Sequence, residues 1–367
     1  MHGGFKAVDQ AMATGVAEKV FPGGVLLCAQ RETVLFHRGF GVTDLALQEP
    51  VTEETVFDLA SLTKPLATAL AVADLAKQGA IRLTTPLSAL LGQSLPSDKA
   101  GITVDMLLRH TAGLPAHREY FRQISEQDMT MARAILRQKI LEEPLVTAPG
   151  QQECYSDLGY ILLAWVVERV AGVRLDQMVT QRIYQPLGID RLGFSGIGIL
   201  IPEWCRNAAA TSYCSWRKKM LRGEVEDENA WAAGGVEGHA GLFGTAGAVH
   251  RLCCEILDAL ACDGPEPKVL AREVMAELVR RYPNRTRVAG FDTPSGDRPA
   301  AGRFSAQTVI GHLGFTGTSF WMDPGSGVVI ILLTNRVHPS RENLMIKKFR
   351  PWIHDLVFKA FKRISPL

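Results

Sequence analysis

The chain has 367 residues, 47% hydrophobic and 21% charged, enough for a large buried core and long for a single domain. A formal net charge of +2 excludes a broad basic field for nucleic acid, and no acidic tail is present. No apolar run reaches about 18 residues and the N-terminus shows no apolar signal segment, so a cytoplasmic protein with no membrane span and no membrane partner is expected.

Phe5, Val8, Met12 and Val16 fall on one face of a helix over residues 5–20, which Pro22-Gly23-Gly24 stops. Residues 25–30 and 33–41 read as two strands about a short polar turn. Residues 55–59 lead into an apolar, Ala-rich helix that begins near Ser61, runs to about Gln78 and is capped by Gly79. From about 80 to 230 the pattern is mainly helical, with amphipathic segments at 104–110, 129–141, 158–171 and 175–184. Residues 203–229 are polar and are expected to form a long surface excursion, with Arg217, Lys218, Lys219 and Arg222 as a solvated basic loop. Glycine recurs at 235, 238, 241, 244 and 247, which predicts tight turns where backbone meets backbone. Helices follow over 248–261 and 271–281, then strands over 309–317, 319–323 and 328–334, and a closing helix over 342–363. Strands at both ends and helices between them predict an α+β fold. Residues 1–79 and 235–367 would supply an antiparallel sheet with flanking helices, and residues 80–234 an inserted, mainly helical domain. Cys28, Cys154, Cys205, Cys214, Cys253, Cys254 and Cys262 form no C-x-x-C pair, which fits reduced thiols better than a disulfide framework or a zinc ribbon.

Three short stretches carry chemistry-bearing residues. Ser61-Leu62-Thr63-Lys64 puts a hydroxyl and an amine on one helix face, and a Ser beside an amine that has lost its proton is an activated nucleophile. Lys64 is followed by apolar residues, so desolvation is expected to lower its pKa toward that of a base. The pair alone favours the ordinary reading of Ser61 as an N-cap. The spacing recurs at Ser215-Trp216-Arg217-Lys218, without a leading strand or a following apolar helix. Tyr155-Ser156-Asp157 opens a helical segment; a phenol beside an amine can shuttle a proton, although Tyr155 alone reads as a core residue and Asp157 as an N-cap. Gly311-His312-Leu313-Gly314-Phe315-Thr316-Gly317 is a glycine-rich strand that would allow close approach to its backbone.

Together and in this order the three resemble the motifs of the serine β-lactamase and penicillin-binding-protein superfamily, in its class C-like branch of β-lactamases, D-amino-acid peptidases and esterases. Leu107-Leu108-Arg109-His110-Thr111-Ala112-Gly113-Leu114-Pro115 and Gly238-His239-Ala240-Gly241 also look like segments of that branch. The resemblance implies a β-lactamase/transpeptidase-like fold and acyl transfer through an acyl-enzyme, with no metal and no cofactor. It implies Ser61 as nucleophile, with Lys64 and Tyr155 as its base and later acid. The backbone N–H groups of Ser61 and Phe315 would form the oxyanion hole, and Asp157, His312, Gly314 and Thr316 would contact substrate. His110 and His239 are expected to be structural.

Two positions depart from the branch. His312 stands where β-lactamases have the Lys of K-T-G, and a His is mostly neutral at pH 7, so attraction for a substrate carboxylate should weaken. Asp157 replaces the amide of Y-x-N and accepts where an amide donates; it either pairs with Lys64 or faces another way. The expected partner is therefore a small ester, amide or peptide. The alternatives are a D-amino-acid or muropeptide carboxypeptidase, a weak β-lactamase, or a catalytically silent relative that binds a ligand. A G-x-S-x-G hydrolase is excluded because the pentapeptide does not occur.

Overall fold

The protein is described by a computed structural model over residues 3–92, 95–196, 203–262, 264–296, 299–304 and 306–364. A seven-stranded antiparallel sheet runs in the order Thr33–Gly41, Gly23–Gln30, Val328–Thr334, Ser319–Asp323, Ile310–Leu313, Phe291–Asp292, Arg287–Val288. The two ends of the chain meet at its centre, where Leu26 pairs with Leu332 and Ala29 with Val329. Val328–Thr334 is buried along its whole length, as a strand covered on both faces must be. The period of two decides which side chain goes where. Leu26, Cys28, Ile330 and Leu332 point to one face, under the helices Lys6–Ala17 and Ile346–Ile364. Val25, Leu27, Ala29, Ile331 and Leu333 point to the other, against the helices around Ser61 and Ala246–Leu260. The latter face continues into the helical region through Leu107, Leu158, Ile161 and Leu162, so one apolar core joins sheet and helices. Among the described residues no helix is long and apolar enough to cross a membrane. All seven cysteines are free.

The structure differs from the sequence expectation at four places that bear on the site. Ser61 does not open a regular α-helix. It lies in a 3-10 turn, Ala60–Leu62, followed by a wider π-type segment, Lys64–Ala69, and only then by the α-helix Leu70–Lys77, after which Gly79 turns left-handed at φ +71°. Pro65, which has no N–H to give to the ladder, sits where the regular repeat is interrupted. The strand expected over 309–317 ends at Leu313; Gly314 then donates to the Thr318 carbonyl at 2.7 Å and the chain turns. Leu242–Gly244 and Leu192–Phe194, too short to be read from the sequence, pair with Phe57–Asp58 in a second, three-stranded sheet. Residues 203–229 are not a surface excursion. Ala208 through Ser212 are buried, Ala209 donates to Val56 and Ala210 to Thr43, and Arg217 and Arg222 bind backbone carbonyls of the same segment. The expected close approach of glycine backbone is clearest at Gly238, where a Cβ would stand 2.0 Å from the Tyr160 carbonyl oxygen.

Candidate active site

The residue before Ser61 is held in a strained turn. Ala60 has φ +48°, a conformation that a residue with a Cβ adopts only when its surroundings impose it. Three contacts do so. Leu59 donates to the Leu242 carbonyl at 2.9 Å, the Asp58 carboxylate accepts from Ala60 N–H at 2.8 Å, and Thr63 Oγ1 donates to the Ala60 carbonyl at 2.6 Å. With Leu59 and Leu62 fully buried, the Ser61 side chain is turned outward between them. Asp58 also accepts from Glu226 N–H at 2.7 Å, and its own carbonyl accepts from Thr316 Oγ1 at 2.7 Å. One buried carboxylate thus ties the nucleophile turn to the segment 224–228.

Burial pushes the Asp58 carboxyl up to about 7 against its two backbone donors, and the charges of Glu226 and Asp227 add to the rise. A raised carboxyl favours the folded state at low pH, and that advantage is lost as pH climbs through the folded value. Asp58→Asn should therefore gain stability relative to the native chain between about pH 4 and pH 7, by up to roughly 4 kcal/mol, and hold a constant difference above that. Urea unfolding of both proteins across that range checks it; a difference that does not change with pH overturns it.

Lys64 is fully buried and its three ammonium protons have three acceptors: Ser61 Oγ at 3.0 Å, the His239 carbonyl at 3.2 Å and Asp157 Oδ1 at 2.8 Å. Burial alone would push the amine down; the Asp157 carboxylate, and then Tyr155, outweigh it and hold Lys64 above its ordinary range. This corrects the expectation of a lysine desolvated into a neutral base. Burial likewise opposes the Asp157 carboxylate, yet the Lys64 charge and a hydrogen bond with His117, 3.2 Å away, bring it well below the usual carboxylate range.

The Tyr155 ring lies 4.9 Å from the Lys64 ammonium and 4.4 Å from the His110 ring. Burial raises its phenol; Lys64 and Ser61 act in the opposite direction without cancelling that rise. His110 is neutral, because burial and then the charges of Lys64 and Arg287 push it well below its ordinary value. Its Nδ1 accepts from Ser156 N–H at 3.0 Å and its carbonyl from Cys154 N–H at 2.8 Å, so it fixes the segment on either side of Tyr155. His110 is structural, as expected. His239 is not only that: its ring lies on the cavity wall, with Nε2 2.9 Å from Asp227 Oδ1.

Beside Ser61 opens a cavity of about 330 Å³ walled by Tyr155, Asp157, Asp227, His239 and Phe315. Phe315 is half exposed there, and its carbonyl accepts from Arg336 Nε at 2.9 Å and from a second guanidinium nitrogen at 2.5 Å. Among the described residues neither Ser61 N–H nor Phe315 N–H has an acceptor within the protein. The arrangement presents a hydroxyl touched by an ammonium, a phenol, and two unspent backbone donors on one cavity.

Ser61, Lys64, Tyr155, Asp157 and Phe315 are therefore brought together. His312, Gly314 and Thr316 are not on the cavity wall. His312 is buried, neutral because burial pushes its pKa down, and its Nδ1 is 2.8 Å from the Leu313 carbonyl. The Gly314 carbonyl takes Arg350 at 3.0 Å, and the Thr316 hydroxyl is spent on Asp58. The sequence reading missed Asp58, His117, Glu226, Asp227, Glu228 and Arg341 on the wall. Asp58 lies three residues before the nucleophile and could have been weighed with it; the others reach the site from segments with no motif of their own. The second S-x-x-K copy is remote from all this: Ser215 and Lys218 are both exposed.

A family model described as Beta-lactamase matches residues 8–349. Proteins from Salmonella heidelberg (strain SL476) and Salmonella typhi, each provisionally named D-alanyl-D-alanine carboxypeptidase, are 29% identical over 357 residues, spanning 88% of this chain and 81% of each relative. Among solved structures, the octameric penicillin-binding protein homologue from Pyrococcus abyssi superposes with a TM-score of 0.74 at 19% identity, covering 98% of this chain and 78% of that one. EstCE1, a hydrolase with promiscuous acyltransferase activity, superposes with a TM-score of 0.76 at 23% identity, covering 97% and 98%.

Proposed function

From the premise that this chain belongs to the β-lactamase family of serine hydrolases, we propose that it hydrolyses small esters, or amides and peptides, through an acyl-enzyme on Ser61. One observation carries the reading: Ser61 Oγ stands 3.0 Å from a buried ammonium, on a cavity that Tyr155 also lines. The Salmonella relatives' name points to peptides ending in D-alanine and the EstCE1 title to hydrolysis and acyl transfer, and the proposed chemistry spans both.

The proton positions suggest how the steps divide. Each of the three Lys64 protons has an acceptor, one of them the Asp157 carboxylate, so we assign the base to Tyr155 in its phenolate form. In that form the Tyr155 oxygen takes the Ser61 proton while Oγ bonds to the substrate carbonyl carbon. The Ser61 and Phe315 N–H groups receive the oxygen that becomes negative. Tyr155 returns the proton to the leaving group, the carbonyl re-forms, and water repeats the sequence to release the acid and regenerate Ser61. Lys64 stabilises the phenolate throughout and need not exchange its own proton. In the division of the chain proposed from the sequence, residues 1–79 and 235–367 bring Ser61 and residues 80–234 bring Tyr155.

Incubation with a p-nitrophenyl ester or a fluorophosphonate, followed by intact mass and peptide mapping, tests this. A single adduct is expected, on Ser61. An adduct confined to another residue, or none with either reagent, overturns the reading.

A further inference from the structure

The charges facing the cavity are uneven. Asp157, Glu226, Asp227 and Glu228 face it or its rim, and the permanent cations against them are Lys64 and Arg341. Neither cation is free. Lys64 has its three acceptors, and Arg341 is bound by Glu226 Oε1 at 2.6 Å and by Glu228 Oε1 at 2.8 Å. Nor do the cations just behind the wall help. Arg336 is spent on the Phe315, Arg341 and Asn343 carbonyls, and Arg287 on Glu153 and Asp292. His312, where a β-lactamase has a lysine, is neutral and off the wall. The wall imidazoles His117 and His239 are engaged by Asp157 at 3.2 Å and Asp227 at 2.9 Å, so among the described residues a substrate carboxylate finds no uncommitted cation here.

Carboxylate oxygens, by contrast, remain open. Asp227 uses Oδ1 for both Ala230 N–H and His239, and among the described residues its Oδ2 accepts nothing; the same holds for Glu228 Oε2. A separate sign of an absent polar partner lies on the same wall. His239 is 1% exposed, and its Nδ1 has no hydrogen-bond partner. An anionic wall with unspent acceptors, on the cavity that opens beside the nucleophile, favours a positive group on whatever Ser61 attacks.

Resting on Ser61 as the nucleophile, we infer that the substrate carries an ammonium group on the part that lies against Asp227 and Glu228. The substrate class is amine-bearing esters, amides or peptides, in place of the chain-terminal carboxylate that a carboxypeptidase must hold.

A matched series decides it: p-nitrophenyl 6-aminohexanoate, heptanoate and hydrogen adipate, which place an ammonium, a methyl and a carboxylate at the end of chains of similar length. In the native protein kcat/KM should fall in that order, by about tenfold at each step, as for a partly exposed ion pair gained or a like charge met. The ratio should shrink in 0.5 M salt, because exposed charges are screened. Glu228→Gln should narrow the spread from both ends, since it removes an acceptor for the ammonium and frees Arg341 for the carboxylate. Asp227→Asn should do the same if it folds; Asp227 also caps the helix Glu228–Ala232, so Glu228→Gln is the deciding variant. A flat series, or one led by the adipate, with an acyl adduct still on Ser61 overturns the inference and leaves the proposed function standing. No adduct on Ser61 from any of the three overturns both.

Discussion

Ser61→Ala is expected to lower hydrolysis of an activated ester on the order of 10⁴-fold or more and to abolish covalent labelling, with the fold unchanged. The magnitude follows from what is removed. Without Oγ no acyl-enzyme forms, and what remains is the cavity, its backbone donors and water, which in serine hydrolases leaves only a small residual acceleration. The fold should survive because the Ser61 hydroxyl accepts from Lys64 at 3.0 Å and otherwise acts on the Tyr155 phenol, neither of which holds the turn. Loss of one such bond costs about 1–3 kcal/mol when the other partner stays buried and charged. The strain in the turn is carried by Asp58, Leu59, Ala60 and Thr63, which the substitution leaves in place. Circular dichroism and the urea midpoint report the fold, and progress curves with p-nitrophenyl acetate report activity. Ser215→Ala serves as the control that carries the same spacing and should change neither. Undiminished hydrolysis and labelling in Ser61→Ala would falsify the assignment.

The contrast between Ser61 and Ser215 shows what the sequence could convey. Spacing alone gave both, and the flanks separated them: a strand before Ser61, an apolar helix after it, and Tyr155 and Phe315 in the expected order. Those are local or ordered signals, and the structure brings the residues they name onto one cavity. The short apolar runs at 25–30 and 328–334 were legible as strands, and because they are apolar on both faces rather than alternating they suit the central places they take in the sheet. The state of Lys64 was half legible: a pairing with Asp157 was one of two readings, and choosing it needs a carboxylate 93 positions later to approach to 2.8 Å. Local sequence showed apolar neighbours and suggested a neutral amine; the long-range contact reverses the sign. The acidic wall was hidden for a related reason. Residues 203–229 read as solvent-facing because they are polar, yet their arginines bind their own carbonyls, and the segment folds inward to place Glu226, Asp227 and Glu228 beside Ser61. A polar segment that satisfies itself internally cannot be told by composition from one that water satisfies.

The reversed sign at Lys64 makes the second large prediction. Lys64→Met should lower ester hydrolysis by about 10³-fold or more, because it removes the cation that favours the Tyr155 phenolate and one contact to Ser61 Oγ. It should also cost about 3 kcal/mol of stability, toward the low end for a broken buried pair, since Asp157 keeps His117 and a fifth of its side-chain surface. Stability loss could by itself be mistaken for loss of activity, so the double variant is the informative one. Lys64→Met with Asp157→Asn removes both charges and should recover most of the stability while hydrolysis stays lost. Asp157→Asn alone tests whether Asp157 sets the proton balance of the Lys64–Tyr155 pair. Asp157 raises both Lys64 and Tyr155, so removing it must lower the pH at which the pair gives up its proton. The rise of kcat/KM with pH should therefore move to lower pH in Asp157→Asn. An unmoved profile would mean that Asp157 does not govern the proton on Lys64, and the assignment of Tyr155 as the base would fall with it.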